Sequence, residues 1–190
     1  VYLNGSIVDS YNLNLASGGY FNVGTLCHEF FHSLGGPDLY HYAGSGPTAA
    51  GGWDIMDGSS NTPQYMGAWM KHKYGNWIDC PLIEQLGIYP LLPLQYQDNS
   101  CFRINSPNSN HEFFVVEYRK KEGIYEINTP GNYSGMLVYR IDGNLGGNSG
   151  GPPDEVYVYR PGGSTTNPGN LTNAIFSAET GRTEINDSTD

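Results

Sequence analysis

The stretch His28-Glu29-Phe30-Phe31-His32-Ser33-Leu34-Gly35-Gly36-Pro37-Asp38 decides how this chain is read. It lies in an apolar pattern in which Val23, Leu26, Cys27, Phe30 and Leu34 recur at spacings of three and four, the period of a helix with one face on a core. Asn22 suits the N-cap, and Gly35-Gly36 followed by Pro37 writes a stop, so a helix is predicted over residues 22–34. With the centre of the apolar stripe at about 0°, His28 and His32 fall near 140° and 180° and Glu29 near 240°. The two imidazoles therefore share the face opposite the predicted core side, one turn apart, where they suit a single Zn²⁺. Glu29 flanks them without being a ligand, the placement that a general base acting on a metal-held water requires. Gly35 is expected to take the left-handed conformation that reverses the chain and returns Asp38 as the third ligand, leaving the fourth position to water. His41 stands in reserve should Asp38 not reach.

Chance is a poor account of this string. From the chain's own composition an H-E-x-x-H somewhere in 190 residues has a probability of about 0.6%, and adding Gly at 35 with His or Asp at 38 lowers it to about 0.007%. A structural pair of histidines is the competing reading.

Working outward, Trp53-Asp54-Ile55-Met56-Asp57-Gly58 follows a Gly-rich loop, and a second helix is predicted from Pro63 to Tyr74, with Thr62 as cap, Met66, Trp69 and Met70 inward, and Gly75 as terminator. The composition changes near residue 78. Beyond it Phe113–Tyr118, Met136–Ile141 and Val156–Tyr159 are short β-branched and aromatic runs between Gly, Asn and Pro clusters, hence strands joined by turns. Residues 142–153 (DGNLGGNSGGPP) are too Gly-rich for regular structure. The fold class expected is α+β. Residues 1–78 form a helical, metal-binding region and residues 79–190 a β-rich, sandwich-like one.

Composition narrows the function classes. Nine Lys and Arg against 19 Asp and Glu give a formal charge of −10, which argues against nucleic acid as a partner. Charged residues are only 15%, against about 25% in an average soluble domain, while 26 Gly, 12 Pro and 15 Tyr suit a turn-rich secreted protein. No run approaches the roughly 20 apolar residues of a membrane span. The start at Val1 rather than Met is expected of a processed or excised form. Of the three cysteines, Cys80 and Cys101 lie in the loop-rich middle and could bridge, whereas Cys27 lies in the helical pattern.

The H-E-x-x-H-x-x-G-x-x-D string resembles the extended zinc motif of metzincin metallopeptidases, in the variant with Asp as third ligand. The segment Trp53 to Gly58 resembles their Met-turn, which implies that Met56 is an apolar floor beneath the ligand imidazoles. The resemblance sharpens to the immune inhibitor A-like secreted bacterial peptidases: Gly35 to Tyr40 resembles their ligand loop, Met70 to Ile78 their following helix, Phe114 to Lys120 and Gly135 to Asp142 two of their strands, and Asn173 to Ser177 also fits. The resemblance implies a zinc endopeptidase, secreted or at the cell surface, acting on protein or peptide substrates through Glu29, with zinc on His28, His32 and Asp38. It departs in two respects: Asp38 is a shorter, charged third ligand, and about 27 residues precede His28, against roughly 60 or more for the sheet that metzincins place before this helix, so the upper half of the cleft is expected to be largely missing and the chain by itself to bind zinc yet cleave weakly.

Other residues admit two readings. Tyr40 or Tyr65 could donate a phenol to a developing oxyanion, or simply pack. Glu117 and Arg119 share one strand face and are expected to form a structural ion pair. Asp142, Asn144, Asn148 and Asp154 offer the oxygen atoms that Ca²⁺ takes, and equally the turn formers of a Gly-rich loop. His72 and His111 are read as ordinary surface or core residues. Two rival functions remain: a catalytically inactive metzincin-like or β-rich binding and adhesion module, and a zinc hydrolase acting on something other than peptides. Nothing in the sequence sets the oligomeric state.

Overall fold

A computed structural model of the chain describes residues 2–7, 12, 21–44, 46–96 and 98–186. In chain order the elements are β1 (Tyr2–Leu3) and β2 (Ser6–Ile7), α1 (Val23–Ser33), α2 (Ala68–Lys73), β3 (Cys101–Asn105), β4 (Glu112–Arg119), α3 (Gly123–Glu126), β5 (Gly135–Asp142) and β6 (Val156–Val158), with short 3₁₀ turns at Gly51–Trp53 and Leu171–Asn173. The fold is mixed α+β. Strands β3-β4-β5-β6 pair antiparallel in sequence order, and β1 and β2 form a separate hairpin across an Asn4-Gly5 turn. Among the described residues the β-rich half is therefore one open four-stranded sheet plus loops, not the two packed sheets of a sandwich.

The alternation of side chains along each strand gives the sheet two apolar faces. Val115, Leu137, Tyr139, Ile141, Val156 and Val158 face the helices, and join Phe31, Leu39, Trp53, Met56 and Met70 in one core cluster. This core draws on both sides of residue 78. The opposite face carries Phe102, Val116 and Val138, packed with Phe176, Ile83 and Leu91.

Helix α1 begins and ends as its sequence requires. Asn22 Oδ1 accepts from Thr25 N–H at 3.0 Å. At the other end Gly35 N–H donates to His32 O at 2.9 Å and Gly36 N–H to Phe31 O at 3.1 Å, the paired bonds of a Schellman turn, with Gly35 at φ +95°. Its orientation differs from expectation: Val23, Leu26, Cys27, Phe30 and Leu34 are exposed, and Gly24, His28 and Phe31 face inward. Apolar periodicity marks a face but does not say what the face meets. Here the core side is taken by Phe31 and by His28, whose ring bonds to the buried 53–56 turn.

Helix α2 is shorter than predicted and starts at Ala68 rather than Pro63. Residues 63–67 lie outside the helix, where Gln64 laces the preceding loop, accepting from Ser60 N–H at 3.1 Å and donating to Gly52 O and Gly58 O. The start of the helix is set from far away: Gly67 N–H donates to Asp54 Oδ2 and Ala68 N–H to Glu117 Oε2, each at 2.6 Å. Glu117 belongs to the expected ion pair. Arg119 donates to Glu117 at 2.9 Å, to Glu126 through two nitrogens at 2.8 and 2.7 Å, and to Trp53 O at 2.9 Å, all buried.

The three predicted strands are present, with Phe113–Tyr118 inside β4, Met136–Ile141 inside β5 and Val156–Tyr159 overlapping β6. Strand β3 was not foreseen, since CFRIN is short and mixes charge with apolar residues. No helix among the described residues is long and apolar enough to cross a membrane.

Candidate metal centre

The Schellman turn that stops α1 also aims its last histidine. Gly36 O, presented by that turn, lies 2.7 Å from His32 Nδ1, and Ile55 O lies 2.8 Å from His28 Nδ1. A carbonyl only accepts, so each Nδ1 carries the proton and each neutral ring is left with a lone pair at Nε2. Those lone pairs meet. His28 Nε2 and His32 Nε2 are 3.2 Å apart, and Asp38 Oδ1 lies 3.0 Å from the first and 3.2 Å from the second.

Three acceptors thus crowd one point with no proton between them. Asp38 Oδ1 is buried without a hydrogen-bond donor, a costly arrangement unless a cation occupies the centre. Metal–ligand bonds of about 2.0–2.1 Å at tetrahedral angles put ligand atoms roughly 3.3 Å apart, close to the observed triangle. The donor set of two imidazoles and one carboxylate suits zinc. His28, His32 and Asp38 are the sole cluster of this kind among the described residues.

Electrostatics fit the same picture. Burial works against a positive charge on His28, but the Asp38 carboxylate, Ile55 O and the charge of Glu29 outweigh it, so its pKa is raised and the site favours positive charge. Burial likewise opposes the Asp38 carboxylate, yet the two neighbouring imidazoles and the bond from Tyr42 hold its pKa down. Glu29 follows His28 on α1, is half-buried, is not one of the three clustered groups, and its charge raises the pKa values of His28, Tyr40 and Tyr42.

The segment carrying Asp38 is pinned on two sides. Leu39 N–H donates to Met56 O at 2.9 Å, so the Ile55–Met56 backbone grips α1 through one carbonyl and the ligand segment through the next. Met56 is fully buried in the core beside Phe31 and Leu39, and its own N–H donates to Asp54 Oδ1 at 2.8 Å. On the other side the Gly-rich loop closes over the segment. Asn148 N–H donates to Asp38 O at 2.9 Å, and its side-chain amide donates to Leu39 O at 3.1 Å and to Val156 O at 2.8 Å while accepting from Val156 N–H at 3.0 Å. Gly147, at φ +90°, passes so close that a Cβ there would lie 2.7 Å from Asp38 O.

No known protein family, curated protein or solved structure matches this chain. The site therefore has to be read from its own atoms. His41, the reserve ligand, is placed elsewhere: its Nε2 lies 2.6 Å from Asp154 Oδ1, where it ties residue 41 to the Gly-rich loop. His72 closes a turn on Ile78 O at 3.0 Å, and His111 pairs with Asp142 at 3.0 Å. Of the two tyrosines considered, Tyr40 stacks 6.3 Å from the His28 ring, whereas Tyr65 packs on Tyr125 and under Lys71. In the loop weighed for calcium, Asp142 Oδ1 accepts from Asn144 N–H, Asn148 uses both ends of its amide, and Asp154 holds His41. Cys80 and Cys101 are both buried as free thiols, with Cys101 Sγ 3.3 Å from Asp79 O.

Sequence reasoning missed the supporting residues. Asn148, Asp54, Tyr42 and the His41–Asp154 pair hold the site, and the only sequence signal for the loop residues was the density of Gly around Asn and Asp.

Proposed function

We propose that the chain carries the zinc site of a metalloendopeptidase of metzincin type, similar to the secreted immune inhibitor A-like enzymes and secreted or displayed at the cell surface as they are. The observation that supports this reading is the proton-free triangle of His28 Nε2, His32 Nε2 and Asp38 Oδ1 at 3.0–3.2 Å. His28, His32 and Asp38 would hold the metal. Zinc bound there supplies a water acidified toward a pKa of about 7 and a polarised scissile carbonyl. Glu29 takes the proton of the attacking water and passes it to the leaving amine nitrogen. The carbonyls of Ile55 and Gly36 keep both imidazoles in the tautomer that leaves Nε2 open. Asp38 adds one negative charge to the site, and Tyr40 stands close enough to His28 to border the substrate. The zinc-ligand pattern with Glu29 intact favours an enzyme over an inactive module.

The test is metal analysis of the purified chain together with hydrolysis of an unfolded protein such as casein. The expected result is one zinc per chain, lost in His28→Ala. Glu29→Ala should keep the zinc and lose hydrolysis by several orders of magnitude. Unchanged cleavage by Glu29→Ala would remove the assignment, and absence of zinc after incubation with it at neutral pH would remove the site.

A further inference from the structure

We infer that Tyr42 is a positioning residue for the third ligand, holding one oxygen of Asp38 so that only the other faces the metal. This rests on the zinc reading above and extends it to the outer shell. The two carboxylate oxygens of Asp38 have different surroundings. Oδ1 is buried, lies 3.0 and 3.2 Å from the two Nε2 atoms and has no donor. Oδ2 accepts from Tyr42 Oη–H. A carboxylate with both oxygens free can close on a metal through either or both, and two-oxygen binding would crowd the position that water and the substrate carbonyl must share. The phenol settles the choice in favour of Oδ1.

Tyr42 is itself anchored. Its N–H donates to Ser149 O at 3.1 Å, its ring lies 5.4 Å from that of Tyr40, and the preceding residue is tied to Asp154 through the 2.6 Å contact of His41. The Gly-rich loop therefore sets the phenol, and the phenol sets the carboxylate. A donor on Oδ2 also draws charge away from Oδ1, which offsets part of the penalty that an anionic ligand places on the acidity of the bound water.

The experiment compares the 190-residue chain with Tyr42→Phe, which removes only the hydroxyl from an exposed ring. Zinc affinity is measured by competition with a chromophoric chelator, coordination by the visible absorption of the cobalt(II)-substituted protein, and integrity by the melting temperature of the metal-free form. Tyr42→Phe should bind one zinc about 10- to 100-fold more weakly. Its cobalt band should weaken, as added coordination through Oδ2 does, while the metal-free form still melts cooperatively, lowered by no more than the few degrees that one lost hydrogen bond costs. Equal affinity and an identical cobalt spectrum in the two proteins would overturn the role of Tyr42 alone. A parent chain that binds no zinc would overturn the metal reading and this role with it.

Discussion

Replacing Asn148 by Ala tests whether the C-terminal half holds the proposed ligands His28, His32 and Asp38 in place. Asn148 is fully buried and its amide makes three bonds, to Leu39 O, Val156 O and Val156 N–H, at 3.1, 2.8 and 3.0 Å. Alanine leaves two carbonyls and one N–H without partners in a dry interior. Each such group costs about 1–3 kcal/mol, so even at the low end the loss is about 3 kcal/mol. For a domain of 150–250 residues each kcal/mol lowers the melting temperature by roughly 2–4 °C, which gives a fall of about 6–12 °C. The same substitution loosens Leu39 next to Asp38, so zinc affinity should fall together with stability. Circular dichroism melts of the metal-free protein and a chelator competition read the two effects separately. Asn144→Ala is the control, an exposed position in the same loop, where a surface change stays within about 0.5 kcal/mol. A melt of Asn148→Ala that matches Asn144→Ala, or an early melt with zinc bound as tightly as in the parent, would refute the bracing role of Asn148.

Three further outcomes follow from the packing. Burial pushes the Asp54 carboxyl up to about 7 against the pull of its bonds from Met56 and Gly67 N–H. The folded state therefore holds this proton more tightly than the unfolded chain, and the stability it contributes is present below about pH 4 and lost as pH rises to 7. The melting-temperature advantage of the parent over Asp54→Asn should be larger at pH 5 than at pH 8, and an equal or reversed difference would count against it. Gly24 lies so close to the 58–60 loop that a Cβ there would sit 2.0 Å from Ser60 O, so Gly24→Ala should destabilise by about 1–3 kcal/mol in a urea melt, and a neutral result would show that the loop yields. Of the three thiols, exposed Cys27 should react with an aromatic disulfide reagent in the native protein, whereas buried Cys80 and Cys101 should react only in denaturant; early labelling of all three would contradict the packing.

What could be read from the sequence was local. The caps of α1 lie within a few residues of the turns they satisfy, so Asn22 and Gly35-Gly36 could be recognised without tertiary knowledge. That His28, His32 and Asp38 meet was legible for the same reason: they and the Gly35 reversal lie within eleven residues of one another. The errors arose where a distant group decided. Thr62 and Pro63 look like a helix start, but α2 begins where Asp54 and Glu117 supply acceptors for its first N–H groups. The stripe from Val23 to Leu34 was legible as a face, but its burial depended on which side of α1 met the 53–56 turn. The brace on Asp38 was invisible because Asn148 stands 110 positions away, and nothing in a Gly-rich string marks one amide as structural.

The separation in sequence between the ligands and their brace orders the events of synthesis. His28, His32 and Asp38 are made before Asn148, which follows Asp38 by 110 residues, at about 5–20 residues per second an interval of roughly 5–20 s. Through that interval the two imidazoles ride on a helix whose turn at Ile55 lacks Arg119, and Asp38 lacks the loop that aims it. On the proposed reading the nascent chain holds every ligand and no finished site. On that reading the site is finished only when β6, the last of the described strands, docks.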